Sequence, residues 1–303
     1  MLVFASLLPC VASIITRTQL PLSTGLSMEW LSAGHSSASS SPSKAPPVVF
    51  IHGTFHGAWC WEAHWMEYFA MAGVETHAIS LRGTSGSPSD QRSVQIDEHV
   101  ADVKSFISET FDEDAPPALV GHSFGCATVL KYLEAGGDAS GVALLCGVPP
   151  SGNGPMTMRF ARRDFGQAWS ILKGFAFKSA TTSAADALKL FFDDGTNEAE
   201  AEILLPRLQA DSRVGLNLRH FNANLPSKAA GDNGRALWLS ERESLPALVL
   251  GATRDYVVDR EAILETAAFL DANAEFVDLP HDVMLCRGWQ QPADRVIGWL
   301  ETL

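Results

Sequence analysis

The chain has 303 residues, 46% of them hydrophobic, a formal net charge of −13 and five cysteines. That length and apolar content suffice for one large α/β domain, and the acidic balance leaves no basic stripe to neutralise phosphates, which excludes a nucleic-acid partner. The cysteines are too few and scattered for a disulfide framework; Cys126 and Cys146 lie in apolar runs and read as small core residues.

The start of the chain differs in kind from the rest. Residues 1–15 are apolar, broken by Pro9, and too short to span a bilayer. Residues 16–47 are rich in Ser and Thr, with Glu29 as their single acid. An acid-poor, Ser-rich start predicts a targeting leader over residues 1–27, to a plastid ahead of a secreted or a cytoplasmic location. Met28 to Gly34 then supplies a first strand, and residues 36–47 a linker.

From Pro47 the pattern alternates. Val48 to Ile51 is a short apolar run ending at His52-Gly53, as a buried parallel strand does. A helix follows over 59–72, a strand over 74–81 and a Gly/Ser/Pro loop over 82–88. Val100, Val103 and Ile107 mark a helix face, and further strands are predicted into Ser123 and over 141–146. After Pro149-Pro150 the rhythm stops, to resume with a strand over 245–250, a helix over 260–270, a strand over 275–279 and a closing helix over 291–300. The expected architecture is an α/β core, residues 28–150 and 237–303, built on a mostly parallel sheet with helices on both faces.

The interruption, 151–236, reads as a helical insertion rich in aromatics such as Phe160, Trp169, Phe175 and Phe191. An insertion after a strand's carboxyl end sits above the crevice where open α/β sheets bind ligands. It is expected to act as a lid lining an apolar pocket, against the plainer alternative of rings packing a small core of their own. Its basic residues, including Arg159, Arg162, Arg163, Lys173 and Lys178, are read first as a solvated helix face, with peripheral membrane contact or an anionic head group as the alternative.

The chemistry is carried by Gly121-His122-Ser123-Phe124-Gly125, a G-x-S-x-G run between a buried-type strand and a helix expected from Cys126 to Glu134. On such an elbow the glycines leave room for a serine lifted onto a tight turn, so Ser123 is the candidate nucleophile. A serine hydroxyl needs a base, and the base an orienting carboxylate. Downstream of the insertion stands a single histidine, His281, in the loop Asp278-Leu279-Pro280-His281-Asp282. The acid is expected at the end of the preceding strand, at Asp255; Asp259 suits the cap of the next helix, and Asp282 is a third choice. Two backbone N–H groups should form the oxyanion hole, those of Phe124 and of Thr54. His52 and His56 have the spacing of zinc ligands but straddle a strand end and a glycine loop, so they read as props for that loop, and His122 likewise as structural.

With Ser123, Asp255 and His281 assigned, the chain resembles the α/β-hydrolase superfamily from about residue 28 to its end. His52-Gly53-Thr54-Phe55-His56-Gly57-Ala58-Trp59-Cys60-Trp61 resembles the oxyanion loop of the plant methylesterase and hydroxynitrile lyase branch. Arg82-Gly83-Thr84-Ser85-Gly86-Ser87 is similar to an Arg-Gly-x-Gly-x-Ser loop of the superfamily with one change of spacing. Phe191-Phe192 and His281 to Leu285 resemble esterase- or lysophospholipase-like members. The resemblance implies hydrolysis of a carboxylic ester or thioester with an apolar portion through an acyl-enzyme, on a small-molecule or lipid-like substrate, with no cofactor and no metal. Lyase chemistry is disfavoured by Gly53, where lyases of this branch carry threonine. Acyl transfer or perhydrolysis, and a ligand receptor on the same fold, are the other readings. Cys126 departs from the usual glycine or alanine at its position.

Overall fold

The computed structural model describes residues 15–34, 44–192, 195–196, 198–242 and 244–303. The chain begins with a hairpin, β1 (Thr16–Pro21) and β2 (Ser27–Ala33), whose strands pair antiparallel from Thr16 opposite Ser32 to Pro21 opposite Ser27. The sheet thus starts one strand earlier than the sequence suggested, and the expected boundary at residue 27 falls inside this hairpin. β1 is Thr-Arg-Thr-Gln-Leu-Pro and almost wholly exposed, so it carries no apolar alternation by which a strand is recognised. Residues 1–14 of the expected leader, and most of the expected linker, lie outside the described residues.

Then follow β3 (Val48–Ile51), α1 (Trp59–Glu62), α2 (Trp65–Met71), β4 (Thr76–Ile79), β5 (Ser93–Val94), α3 (Ile96–Thr110), β6 (Ala118–His122), α4 (Phe124–Glu134) and β7 (Gly141–Leu145). The single helix expected over 59–72 is two, broken at His64, whose backbone (φ −147°) leaves the helical region. Between β7 and the next long strand run α5 (Asn153–Arg163), α6 (Phe165–Ala176), α7 (Ala184–Phe191), α8 (Glu198–Asp211), β8 (Gly215–Leu216) and α9 (Leu218–Ala223). The rhythm resumes with β9 (Ala247–Ala252), α10 (Arg260–Phe269), β10 (Ala274–Val277) and α11 (Gln290–Leu300). β8 pairs in parallel with β5 and ties the helical segment to the core through a two-stranded sheet.

The main sheet has eight strands in the order β1-β2-β4-β3-β6-β7-β9-β10. β1, β2 and β4 are joined antiparallel, and every pairing from β4 to β10 is parallel. Every residue of β3, β4, β6 and β7 is buried, as in parallel strands covered on both faces. The carboxyl ends of β3, β6 and β9 therefore open on one rim, and each expected site residue follows one of these strands or β10.

The hairpin is bound to that rim by a buried acid. Asp102 of α3 accepts from Arg82 Nε at 2.8 Å, Arg82 Nη2 at 2.6 Å and Thr24 Oγ1 at 2.6 Å. All four cysteines of the described residues, Cys60, Cys126, Cys146 and Cys286, are buried. Burial pushes the thiols of Cys60, Cys126 and Cys146 above their ordinary range. Among the described residues no helix is long and apolar enough to cross a membrane.

Candidate active site

Ser123 stands between β6 and α4 with φ 53° and ψ −119°, a conformation costly for any residue with a β-carbon and sustained by its surroundings. Its N–H donates to Leu145 O at 3.0 Å, and its carbonyl accepts from the N–H groups of Cys126 and Val148 at 3.1 and 3.2 Å. The flanking glycines are required by proximity. A β-carbon on Gly125 would lie 2.3 Å from Ile51 O and 2.7 Å from His52 O, and one on Gly121 would lie 2.9 Å from Cys126 N. The helix begins at Phe124, two residues before the expected start. Cys126 fits its unusual position by directing its thiol to the carbonyls of Gly121 and Leu145, at 3.2 and 3.6 Å.

The structure brings His281 and Asp255 together. His281 Nδ1 lies 2.8 Å from Asp255 Oδ2, and both side chains are buried. Because a carboxylate only accepts, Nδ1 carries the proton and the neutral ring keeps its lone pair on Nε2. Asp255 Oδ1 is held by the N–H groups of Val257 and Val258, each at 2.8 Å, so both carboxylate oxygens are engaged. Burial pulls the His281 pKa down, but the charge and hydrogen bond of Asp255 outweigh it and leave the ring above its ordinary value. Among the described residues the Ser123 hydroxyl makes no hydrogen bond, to His281 or elsewhere. Asp259, the second choice for the acid, caps α10 by accepting from Ala262 N at 3.1 Å and is gripped by Arg159 through two bonds of 2.7 Å.

Gly53 brings the loop after β3 against the elbow, since a β-carbon there would lie 2.7 Å from Ser123 Cβ. As the first residue of α4, Phe124 has no intrahelical acceptor for its N–H. Among the described residues neither that N–H nor the one of Thr54 has an acceptor. His52 serves the loop as a prop: Nδ1 donates to Gly53 O at 2.8 Å and Nε2 accepts from Leu81 N at 3.0 Å. This uses one proton, and burial drives the His52 pKa down to about 3, fixing the ring as neutral. His122 Nε2 donates to His281 O at 3.0 Å, and burial with the neighbouring His281 ring lowers its pKa to about 3.

A small cleft opens beside Thr54 and Phe124, walled by Phe55, Leu81, Val214 and Leu216. The aromatics of the helical segment divide into two sets. Phe175 stacks on Phe55 at 5.4 Å between centroids, Phe191 lies 6.2 Å from His281, and Phe221 lies 5.4 Å from Phe124. Phe165, Trp169 and Phe177 face outward and are exposed. One residue the sequence did not single out is Asp211, at the end of α8. It is buried and accepts from Trp59 Nε1 at 2.8 Å and from Ser85 Oγ at 2.9 Å, latching the segment to the rim. Nothing in its local sequence marks it, because both partners lie more than 120 residues away.

Residues 48–299 match the model of the alpha/beta hydrolase family. Among curated proteins, methylesterase 10 of Arabidopsis thaliana is 32% identical over 81 residues, a stretch covering 25% of this chain and 28% of that protein. Among solved structures, epoxide hydrolase A from Mycobacterium thermoresistibile aligns with a TM-score of 0.66 at 17% identity, covering 95% of this chain and 98% of that one. A serine hydrolase involved in carbazole degradation aligns at 0.64 and 15%, covering 96% and 100%. A bacterial membrane phospholipase A aligns at 0.65 and 15%, covering 95% and 86%. With its eight-stranded sheet, its elbow and a family match over 48–299, the chain belongs to the alpha/beta hydrolase family.

Proposed function

We propose that this protein is a serine hydrolase that cleaves a small carboxylic ester or thioester with an apolar acyl part through an acyl-enzyme. The observation that carries this reading is the buried Asp255–His281 hydrogen bond of 2.8 Å on the rim that also presents Ser123 on its elbow. In the proposed sequence, His281 Nε2 takes the proton of Ser123 Oγ as that oxygen attacks the ester carbonyl. The Thr54 and Phe124 N–H groups receive the charge that develops on the carbonyl oxygen. His281 then returns the proton to the leaving alcohol or thiol. Water enters, gives its proton to His281 and releases the acid from Ser123, which regains its hydrogen. Asp255 stabilises the imidazolium formed in each half and keeps the ring in its Nδ1–H form. In this reading the segment from α5 to α9 is the lid, with Phe175 and Phe191 closing the site from above, and the apolar walls around Phe55 and Leu216 receive the acyl chain.

Labelling with a fluorophosphonate tests the assignment. The wild type should label and Ser123→Ala should not. An unlabelled wild type would instead favour a ligand receptor on the same fold. A panel of p-nitrophenyl esters of graded chain length should show preference for short acyl groups, given how little enclosed space the cleft offers.

A further inference from the structure

Beneath the proposed catalytic residues lies a second acid–histidine pair that the reaction above does not use. Asp282 follows His281 in the chain and its side chain is fully buried. His56 is also buried, in the loop that follows β3. Its Nδ1 lies 2.8 Å from Thr54 O, and its Nε2 lies 3.0 Å from Asp282 Oδ2. A carbonyl oxygen can only accept, so Nδ1 carries a proton. A bare Nε2 lone pair 3.0 Å from a carboxylate oxygen would be repulsive, so one of these two groups carries a second proton. The Nε2–Oδ2 contact is bent away from ideal hydrogen-bond alignment, and neither oxygen of Asp282 has a hydrogen-bond donor in line. The other candidate donor, His122, spends its Nε2–H on His281 O and stands 3.9 Å from Asp282 Oδ1.

Which atom holds the second proton follows from the groups around the ring. Asp282 and the Asp211 carboxylate both favour a charged His56. His122 stays neutral, and the Cys60 thiol is held protonated by burial and by the same two acids. Burial works against charge on His56, but the carboxylates prevail and its pKa is raised; that of Asp282 is lowered, chiefly by His56, against the opposing effect of its own burial. The proton therefore belongs to the ring.

We infer that His56 and Asp282 form a buried imidazolium–carboxylate pair that positions the oxyanion loop against the loop carrying His281. The inference takes its catalytic meaning from the function proposed above, while the protonation state stands apart from it. The pair joins three segments. His56 grips Thr54 across Phe55, a non-glycine residue held in the left-handed region at φ 67°, a conformation that persists only where its surroundings enforce it. Asp282 holds the far end, next to His281, and its own N–H donates to Phe191 O at 3.2 Å. His122, one residue before Ser123, closes the circuit by donating to His281 O. Because the pair is neutral as a whole and removed from the cleft, it acts as a positioning device. Its loss should lower kcat and leave KM nearly unchanged.

The test is made on the full chain labelled with ¹⁵N-histidine. Ring-nitrogen spectra between pH 6 and 9 should show, besides the His281 ring whose pKa is also raised, a histidine still doubly protonated above the ordinary imidazole pKa near 6.5, its signal missing in His56→Gln and converted to the neutral Nδ1–H form in Asp282→Asn. Turnover of p-nitrophenyl acetate by Asp282→Asn should fall on the order of 100-fold in kcat. A His56 ring singly protonated at pH 7 in the wild type overturns the inference whether or not any variant folds. So does a folded Asp282→Asn with wild-type kcat or with a still doubly protonated His56. A wild type that turns over no ester sinks the hydrolase reading alone, and the ring-nitrogen spectra then decide the pair.

Discussion

The distance between the two proposed oxyanion donors is set by a contact in which neither takes part. Gly125, on the first turn of α4, faces the carbonyls of Ile51 and His52, where β3 hands over to the loop of Thr54. The β-carbon of Gly125→Ala would stand 2.3 Å from Ile51 O, where ordinary contact begins near 3.4 Å, so α4 must withdraw by about 1.1 Å. The obstacle is backbone on both sides and cannot rotate away. Overpacking of this kind costs about 1–3 kcal/mol in stability. A displacement of about 1 Å between Phe124 and Thr54 should cost on the order of 100-fold in turnover. Urea denaturation gives the first quantity, and ester hydrolysis by the folded fraction gives the second. The control is Gly298→Ala on α11, where a β-carbon meets nothing within 4 Å; it should gain about 0.5–1 kcal/mol from reduced backbone freedom and leave turnover untouched. A folded Gly125→Ala enzyme with wild-type turnover would refute the claim that this contact sets the donor spacing.

Asp255→Asn should lower kcat by about 10⁴-fold, as loss of a base's orienting acid does elsewhere, and its residual activity should begin at lower pH. The sign follows from Asp255 being the group that lifts the His281 pKa, so that without it the ring becomes a free base earlier as pH rises; an acid limb unmoved in a pH–rate profile would count against this. Asp102→Ala should cost about 3–5 kcal/mol in a urea melt, because it strands the Arg82 guanidinium whose fork it holds; a loss below about 1 kcal/mol would place this contact among solvated surface pairs. His52 and His122 are neutral when folded, with pKa values near 3 against an ordinary 6.5. As pH falls below about 6.5 the unfolded chain binds protons that these folded rings refuse, so both contributions to stability decline. In His122→Gln the drop in unfolding free energy between about pH 7 and pH 4.5 should therefore be smaller than in the wild type, and an equal drop would contradict the assigned state of that ring.

Much of the candidate site's layout was legible because each of its parts sits at a strand end that the sequence announces. The run into Ser123, the strand before Asp255 and the histidine after the last strand are local patterns, and the topology alone brings them to one rim. What escaped reading depends on distance in the chain. His56 read as a loop prop, which its bond to Thr54 shows it to be, but the partner on its other nitrogen is 226 residues away. Asp282 read as a third choice for the acid, whereas its carboxylate faces His56 rather than His281 Nδ1. Asp211 gave no sign, because an acid at the end of a polar helix is ordinary until its partners are known. β1 was lost for the opposite reason: an edge strand with few buried side chains has no pattern to display.

The four buried cysteines have a practical meaning. A thiol shut away from solvent is a poor nucleophile toward maleimides and disulfide reagents, the more so at Cys60, Cys126 and Cys146, where burial opposes ionisation. Cys60 lies in α1, Cys126 in α4, Cys146 just after β7 and Cys286 in the loop before α11, so they sample quite different parts of the domain. In a Cys10→Ser background the rate of alkylation at each of them becomes a clock for the opening of its own neighbourhood. Four equal rates would mean that the domain opens as one unit, while a faster rate at Cys286 would show the segment behind His281 to be the first to yield.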